Sequence, residues 1–468
     1  MGTLVSLLNI SEQALGSDQA ALNATANNIS NQNTPGYTRE NVNFSTVDYY
    51  TPNGTFVPDG VSVSAPVSTR DRVLEQRVQQ QTQLQSQSAT LQSALNNVQD
   101  VFGLNATSTT SSLTALGNSI NSFFNSLTQL QSSPADSPTR QQVLAAASTL
   151  ASTFNSTSSQ LSQITSGLQA QAQVITGQAN TLLSTIAHLN EQIATSSPYA
   201  DAGVLEDQRQ QAITQLSQYV GLDQITNSQN QIELTTTNGG LLVAGQNSYA
   251  LQTSVSNGVV TVLAGPNSTD VTAGLTGGSL GGTLEALNTS IPPIQNSIDS
   301  LAYSIATSVN TLNEEGDDAT GQPGQALFNI GADSTGAAAT ISTTTSNPNL
   351  VAAASTGEGS SGNSNATALA ALANQNLVGG ETVANYLATS LAQIGEAASL
   401  ATNSSTAQQA TLTQLTTQVN SVSGVSLDEE ASNLTEFQRS YQAASQLFNI
   451  VDSLFVSAIN FGVETAVS

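Results

Sequence analysis

The chain has 468 residues, only 8% of them charged, with 7 basic against 32 acidic side chains and a net charge of −25. Every basic residue is Arg, and the one cluster, Arg70, Arg72 and Arg77, has Asp71 and Glu75 among it; nucleic acid and anionic membrane, which need cations massed on one face, are excluded as partners. Cysteine is absent, so packing alone must hold the roughly two to four domains this length implies.

The first helix runs up to a stop at Asn33, Pro35 and Gly36. Its seam is Leu8, Leu15, Leu22 and Ile29, each seven apart, with Ala14 and Ala21 just before two of them. Residues 38 to about 67 read as strand and turn: Val42, Phe44 and Val47, a turn at Pro52-Asn53-Gly54, Phe56-Val57, a turn at Asp59-Gly60, then Val61 to Val63. From Arg70 to Phe102 a helix carries Val73, Leu74, Leu84, Leu91, Leu95 and Val98, and a shorter helix spans roughly 111 to 131.

Ser137-Pro138 opens the longest helix, a cap followed by Pro at the first helical position. Phe154, Leu161, Leu168, Ile175, Leu182 and Leu189 recur in it at seven, and it ends by Ser197-Pro198. Gly167 and Gly177 inside it each cost about 1 kcal/mol relative to Ala; close helix contact or weak local stability are the two accounts. A further helix covers 205–220. Beyond Val220 short strands at Ile232–Leu234, Leu241–Val243, Tyr249–Leu251 and Val259–Leu263 alternate with Gly- and Asn-rich turns, which makes a small all-β unit closed by Gly277–Gly282. Helical spacing returns at Ile294, Ile298, Leu301, Ile305, Val309 and Leu312; 331–365 reads as a long loop with one hairpin; helix resumes over about 381 to 420.

The last helix starts after Ser426, with Asp428, Glu429 and Glu430 in its first turn, where they suit the positive end of the helix dipole. Leu427, Leu434, Tyr441, Phe448 and Phe455 fall on position a of a heptad, and Phe437, Ala444, Val451 and Ala458 on position d, with Glu430 the one polar exception. Such a stripe is the face a partner helix covers, whether in one globular core or in a coiled coil.

Candidate chemistry is thin. His188, the single histidine, is followed by Leu189-Asn190-Glu191 and lacks zinc-protease spacing, so it reads as a surface or helix-contact residue. Gly277–Gly282 lacks the Lys of a phosphate loop and the spacing of a dinucleotide site; it reads as a loop between strand and helix. Glu314-Glu315-Gly316-Asp317-Asp318 misses the alternating ligands of a calcium loop and reads as a solvated turn. No catalytic, metal or cofactor-binding residue is assigned, and no enzyme is expected. Met1-Gly2-Thr3 leads into an amphipathic pattern without a basic start, so no cleaved signal peptide is expected, and no run approaches the length of a membrane span.

Ala26-Asn27-Asn28-Ile29-Ser30-Asn31-Gln32-Asn33-Thr34-Pro35-Gly36-Tyr37-Thr38-Arg39 resembles the start of the flagellar axial proteins, the family that builds rod, hook and filament. Gly60-Val61-Ser62-Val63, Arg70 to Arg77, Ala187 to Ile193 with Leu205-Glu206-Asp207-Gln208-Arg209, Gly278 to Gly282, and Leu427 to Ala444 resemble, in order, the hook–filament junction branch of that family. The chain departs from it at Asn313-Glu314-Glu315-Gly316, which lacks the His common there, and at 331–380, short where many relatives insert a surface domain.

The expected fold is mainly α with a smaller all-β insert. Long antiparallel, coiled-coil-like helices come from both halves of the chain, so the domains are discontinuous. Residues 1–40 with 426–468 form a terminal-helix unit; 41–221 with 284–425 form a helical body with an N-proximal β-hairpin; 222–283 form the β domain. The resemblance implies a structural junction subunit between hook and filament, self-assembling through its terminal helices to line an inner tube. Implied partners are copies of itself, the hook protein, the second junction protein, and an export chaperone on the C-terminal helix. It implies an extracellular place in the flagellum, reached without a cleaved signal. The assembly and chaperone interface would fall on Leu8, Leu15, Leu22, Ile29, Leu434, Phe437, Tyr441, Phe448, Val451 and Phe455. The alternatives are another axial protein (second junction protein, hook protein or flagellin) or a secreted adhesin or hydrolase on a helical stalk.

Overall fold

In a computed structural model of the chain, residues 2–50, 56–104, 114–196, 202–256 and 258–464 are described. The turns expected at Pro52-Asn53-Gly54 and at Asn257, and the helix stop at Ser197-Pro198, fall wholly or partly outside them.

Helix α1 (Gly2–Asn31) leads to an antiparallel hairpin, β1 (Phe44–Tyr50) and β2 (Phe56–Val63). Helices α2 (Arg72–Val101), α3 (Ala115–Ser132), α4 (Ser137–Ser196) and α5 (Val204–Tyr219) follow. The β unit is a four-stranded antiparallel sheet of β3 (Asp223–Thr226), β4 (Ile232–Thr235), β5 (Leu241–Ala244) and β6 (Asn247–Ser248), in that order. A second sheet holds β7 (Gln252–Ser256), β8 (Val259–Ala264) and β9 (Thr269–Asp270), with β8 central. Helix α6 (Gly278–Glu285) runs through a π-helical turn into α7 (Ile291–Glu315), and α8 (Val383–Ser423) and α9 (Leu427–Glu464) close the chain.

The helix boundaries have local causes. Asp71 caps α2, accepting from the backbone N of Val73 and Leu74 at 3.0 and 3.1 Å, and Thr382 caps α8. Helix α4 buries Phe154, Leu161, Leu168, Ile175 and Leu189 as the heptad foresees. Towards its C-terminal end the buried face also takes in Leu183, Ile186 and Ile193, because a straight helix drifts against a seven-residue repeat. Gly167 and Gly177 lie in open space, so close helix contact is not their explanation; they mark locally weak helix.

Close contact falls instead on the Gly-rich run, which is helix α6 rather than a loop. A Cβ on Gly282 would overlap the carbonyl oxygen of Gln87, so α6 lies directly on the backbone of α2. Gly278 stands at φ +69° with the Val220 backbone where its Cβ would be.

One continuous core runs from Phe123, Leu127 and Phe154 through Ile186 and Leu216 into Leu234, Val243 and Val262 of the β unit and on to Ile305 and Val309. The ring of Phe123 meets Phe328 edge-on at 5.7 Å. The β unit is also pinned by amides: Asn190 donates to the carbonyls of Ile232 and Gly245 at 2.7 and 2.9 Å, and Asn180 to that of Leu251 at 2.9 Å.

Two expectations change. Val73 and Leu84 are exposed, while α2 buries Gln79, Gln81, Thr82 and Gln83, because Gln81 bonds to Gln408 of α8 and Gln83 to the backbone of Leu222. The stretch after Gly331 is an ordered coil with short helices, Ala337–Thr340 and Ser364–Ala371. Remote side chains order it: Asp299 accepts from the N–H of Gly336 and Ala338 at 3.0 and 2.9 Å, and buried Asn313 bonds Gln325 O, Leu350 O and Ala352 N.

Candidate functional site

Helices α1 and α9 pack along each other, and the hairpin β1–β2 packs on α1 rather than on the helical body. Phe44 of the hairpin sits 6.1 Å from Phe437, ring to ring. Gly60 lies over α1, where a side chain would meet Gln13 and Ile10. Leu8, Leu15, Leu22 and Ile29 are half-buried, as are Leu434, Phe437, Phe448 and Phe455, while Val451 is buried. Leu427 and Tyr441 are exposed, so the a positions at this end of the stripe are not all covered. Beyond the seam a second stripe, Leu447, Ile450 and Leu454, faces outward at helical spacing, with Ile450 57% exposed.

The terminal pair joins the body through a polar lock. Glu430, with a side chain only 1% exposed, receives the Arg39 guanidinium at 2.7 Å and the Asn28 amide at 3.2 Å. Asn28 uses its whole carboxamide: its oxygen accepts from the Tyr37 hydroxyl and the Glu40 N–H, both at 2.9 Å, and its nitrogen donates to Glu40 O at 2.9 Å and to Glu430. Burial, then the carboxylates of Glu40, Asp207 and Glu430, push the Tyr37 hydroxyl above its ordinary range, so it stays a donor. Arg39 N donates to Ser423 O at 3.0 Å and Thr69 N to Arg39 O at 2.8 Å, stitching three distant segments together where α8 gives way to α9.

The lock continues into the body. Thr38 donates from its hydroxyl and its N–H to Asp207 at 3.0 and 3.3 Å, and Asp207 also pairs with Arg70. Arg70 faces Glu75 at 3.6 Å and Glu206 at 3.8 Å, and Glu206 takes Arg72 at 3.2 Å and Asn230 at 2.6 Å. Arg209 donates to Asn190 Oδ1 at 3.1 Å and Asn230 O at 2.6 Å, which carries the network to the β unit. Burial lowers the Arg209 guanidinium to about 10, Glu206 opposing, so it remains charged at neutral pH. Burial raises the Glu75 carboxyl to about 7 and outweighs the lowering by Arg70. A crevice of about 290 Å³ opens beside Glu75, between Tyr37, Val78, Gln211 and Val419.

Four of the chain's seven arginines are thus committed to this joint. Their planar forks hold donors in fixed directions and stay charged when buried, which a lysine's rotating ammonium does less well. The sequence reading took Glu430 as helix-terminal charge; it is the buried hub, and the signal was its place as the polar exception in an apolar heptad. Glu429 does stay exposed, bonding Arg39 at 2.9 Å. The Arg70–Arg72 cluster and the Leu205–Arg209 stretch, far apart in sequence, turn out to be opposing halves of one network. His188 is exposed on α4 with Glu191 at 3.6 Å, and among the described residues no group of His, Asp and Glu could hold a metal ion.

Three family models match the chain. The flagellar hook-associated protein FlgK helical domain covers residues 104–328, the flagellar basal body rod FlgEFG protein C-terminal covers 417–461, and the flagella basal body rod protein covers 8–38. The two terminal matches fall on the helices that pair, and the third on the body and β unit. Paired terminal helices with an internal helical body define the chain as a member of the flagellar axial proteins.

The relatives place it more closely. Flagellar hook-associated protein 1 of Salmonella typhimurium (strain LT2) is 27% identical across 97% of this chain and 99% of its own length. Its counterpart in Bacillus subtilis (strain 168) is 28% identical across 97% of both, and that of Escherichia coli (strain K12) 27% across 97% and 99%. The flagellar hook junction protein FlgK from Burkholderia pseudomallei shares the fold, with a TM-score of 0.68 over 74% of this chain and all of that one, at 21% identity. The chain is thus similar to flagellar hook-associated protein 1 along nearly its whole length. The Salmonella alignment runs to 562 positions against 468 residues here, so the relative carries insertions that this chain lacks.

Proposed function

We propose that this chain is a structural subunit of the bacterial flagellum that joins hook to filament and assembles through its terminal helices. The observation that carries this is the outward stripe Leu447, Ile450 and Leu454 on a helix pair already closed on its inner side. A face of this kind on a rigid pair is what a neighbouring copy covers in a tube. The seam residues Leu8, Leu15, Leu22, Ile29, Leu434, Phe437, Phe448, Val451 and Phe455 then hold the two helices to each other, and Tyr441 joins the contact between copies. The hook protein and the second junction protein are the axial neighbours, an export chaperone takes α9 before assembly, and export proceeds without a cleaved signal. The terminal unit carries the hairpin with it, the helical body forms the next layer, and 222–283 is a β domain docked on that body. The role is mechanical; no reaction is assigned.

Leu447→Ser with Ile450→Ser and Leu454→Ser tests this. Circular dichroism should show the helices retained, because the stripe is exposed and flanks the seam without being part of it. The variant should be exported but absent from the hook tip, and filaments should fail to attach. Filaments of normal length and normal swimming in that triple variant would refute it.

A further inference from the structure

Helix α2 carries a run of amides over Gln76, Gln79, Gln80, Gln81 and Gln83. Gln81 donates through its Nε2 to Gln408, and Gln83 uses both ends of its amide on the backbone of Leu222. Gln76, Gln79, Gln80 and Gln83, with Asp223 and Gln224 at the start of β3, wall a cavity of about 270 Å³. Two buried atoms of its lining have no hydrogen-bond partner: Nε2 of Gln79, a residue 2% exposed, and Oε1 of Gln224. Buried polar groups are nearly always bonded, so a lone donor and a lone acceptor on one cavity mark where a ligand bonds.

The pair defines the chemistry. The ligand must accept from Gln79 and donate to Gln224. A carboxylate cannot donate and an ammonium cannot accept; a hydroxyl does both through a single oxygen, whereas a carboxamide does both through two separate atoms in one plane, which suits a donor and an acceptor on different elements of the wall. The lining has no aromatic ring for a sugar to stack on, and the single carboxylate of Asp223 is too few for a divalent cation. Beside the cavity, β3 is an edge strand bonded on one side only, to β4, with Ile225 exposed. Such an edge accepts an additional extended segment.

We propose that this glutamine-lined cavity takes the carboxamide of a Gln or Asn side chain from a second copy of this chain, seated along the free edge of β3. With only 8% of residues charged, a copy of this chain presents amides and hydroxyls to its neighbours rather than charges. The choice of donor rests on the flagellar reading above; the cavity's preference for a carboxamide does not.

The test has two arms. Acetamide is titrated into the purified full-length chain while the glutamine side-chain amide resonances are followed by NMR. The Gln79 resonances should shift saturably with acetamide and stay still with acetate. Gln224→Leu should weaken the Gln79 response at least tenfold, and Gln79→Leu should weaken that of the neighbouring Gln76, Gln80 and Gln83 amides at least tenfold, with circular dichroism unchanged; Gln224→Leu, on an exposed strand, serves if Gln79→Leu fails to fold. Equal responses to acetamide and acetate, or a response untouched by either substitution, would overturn the site. In the second arm, Gln80→Cys puts a thiol at the cavity mouth of a chain that has no cysteine. Its maleimide labelling should be at least tenfold slower in assembled flagella than in the free chain. Equal rates, with the chain present in the flagella, would overturn the second-copy donor alone; absence of the chain from flagella would overturn the flagellar role and that donor with it.

Discussion

Arg39→Met should release the terminal helices from the body, and the lock's geometry sets how far. Arg39 makes two ion pairs. The one to Glu429 lies at the surface, that side chain being 62% exposed, and exposed pairs contribute about 0–1 kcal/mol. The one to Glu430 is buried, and deleting one partner of a buried pair costs about 3–5 kcal/mol because the other charge is stranded. Glu430 keeps the Asn28 amide at 3.2 Å, which puts the loss at the low end, about 3 kcal/mol. Glu430→Gln strands no charge, only its new NH2: the amide oxygen still accepts from Asn28, and Arg39 turns to Glu429, for a cost of about 1 kcal/mol. The double variant should then lie near Glu430→Gln alone, a coupling of about 3 kcal/mol. Native-state hydrogen exchange read on α1 and α9 measures the loss where it occurs, since these helices can open without the body. If Arg39→Met costs within about 0.5 kcal/mol of Glu430→Gln, or the two add, the buried pair does not hold the joint.

Glu75→Gln tests the same network by pH. The folded chain holds this proton up to about pH 7 against an ordinary 4.5, so the group's contribution is full below about 4.5 and is lost as pH rises to 7. The variant should flatten that part of the stability profile and exceed the parent by about 3 kcal/mol above pH 7 in denaturant melts; a parallel profile would contradict burial as the cause. Gly278→Ala, at φ +69° against the Val220 backbone, should cost about 3 kcal/mol or more, whereas Gly177→Ala, in open space on α4, should stabilise by about 1 kcal/mol; thermal melts showing the same sign for both would refute the close approach of Gly278 to the Val220 backbone. Phe123→Ala, at the fully buried meeting of α3 with Phe328, should cost about 3–5 kcal/mol in the same assay.

What could be read in advance was what repeats or what punctuates. The seven-residue stripes of α4 and α9 and the Gly- and Asn-rich turns of the β unit are local signals, and they placed the elements and the class of fold. The ordered coil after Gly331 was not legible, because Asp299 and Asn313 hold it from another helix. The burial of the α2 glutamines was not legible either, since their partners, Gln408 and Leu222, are hundreds of positions or a domain away. Glu430 was visible as an exception but not as a hub: a single acid in the first turn of a helix has a simpler local explanation, and only the arrival of Asn28 and Arg39 from the other end of the chain changes it. The hairpin was assigned to the body by proximity in sequence, and the ring contact of Phe44 with Phe437 places it with the terminal helices.

Helix α4 has a consequence of scale. It is 60 residues long, about 90 Å at 1.5 Å per residue. One end is tied beside the joint through Asn190 and Arg209; near the other, buried Arg140 grips the carbonyls of Pro134 and Val351. Between those anchors lie about 75 Å of continuous backbone hydrogen bonding, so the helix acts as a lever arm. Each degree of tilt at the lock sweeps the far anchor through about 1.3 Å. A change too small to break a single bond among Arg39, Asn28 and Glu430 would still shift the outer end of the subunit by more than an atomic diameter within a few degrees.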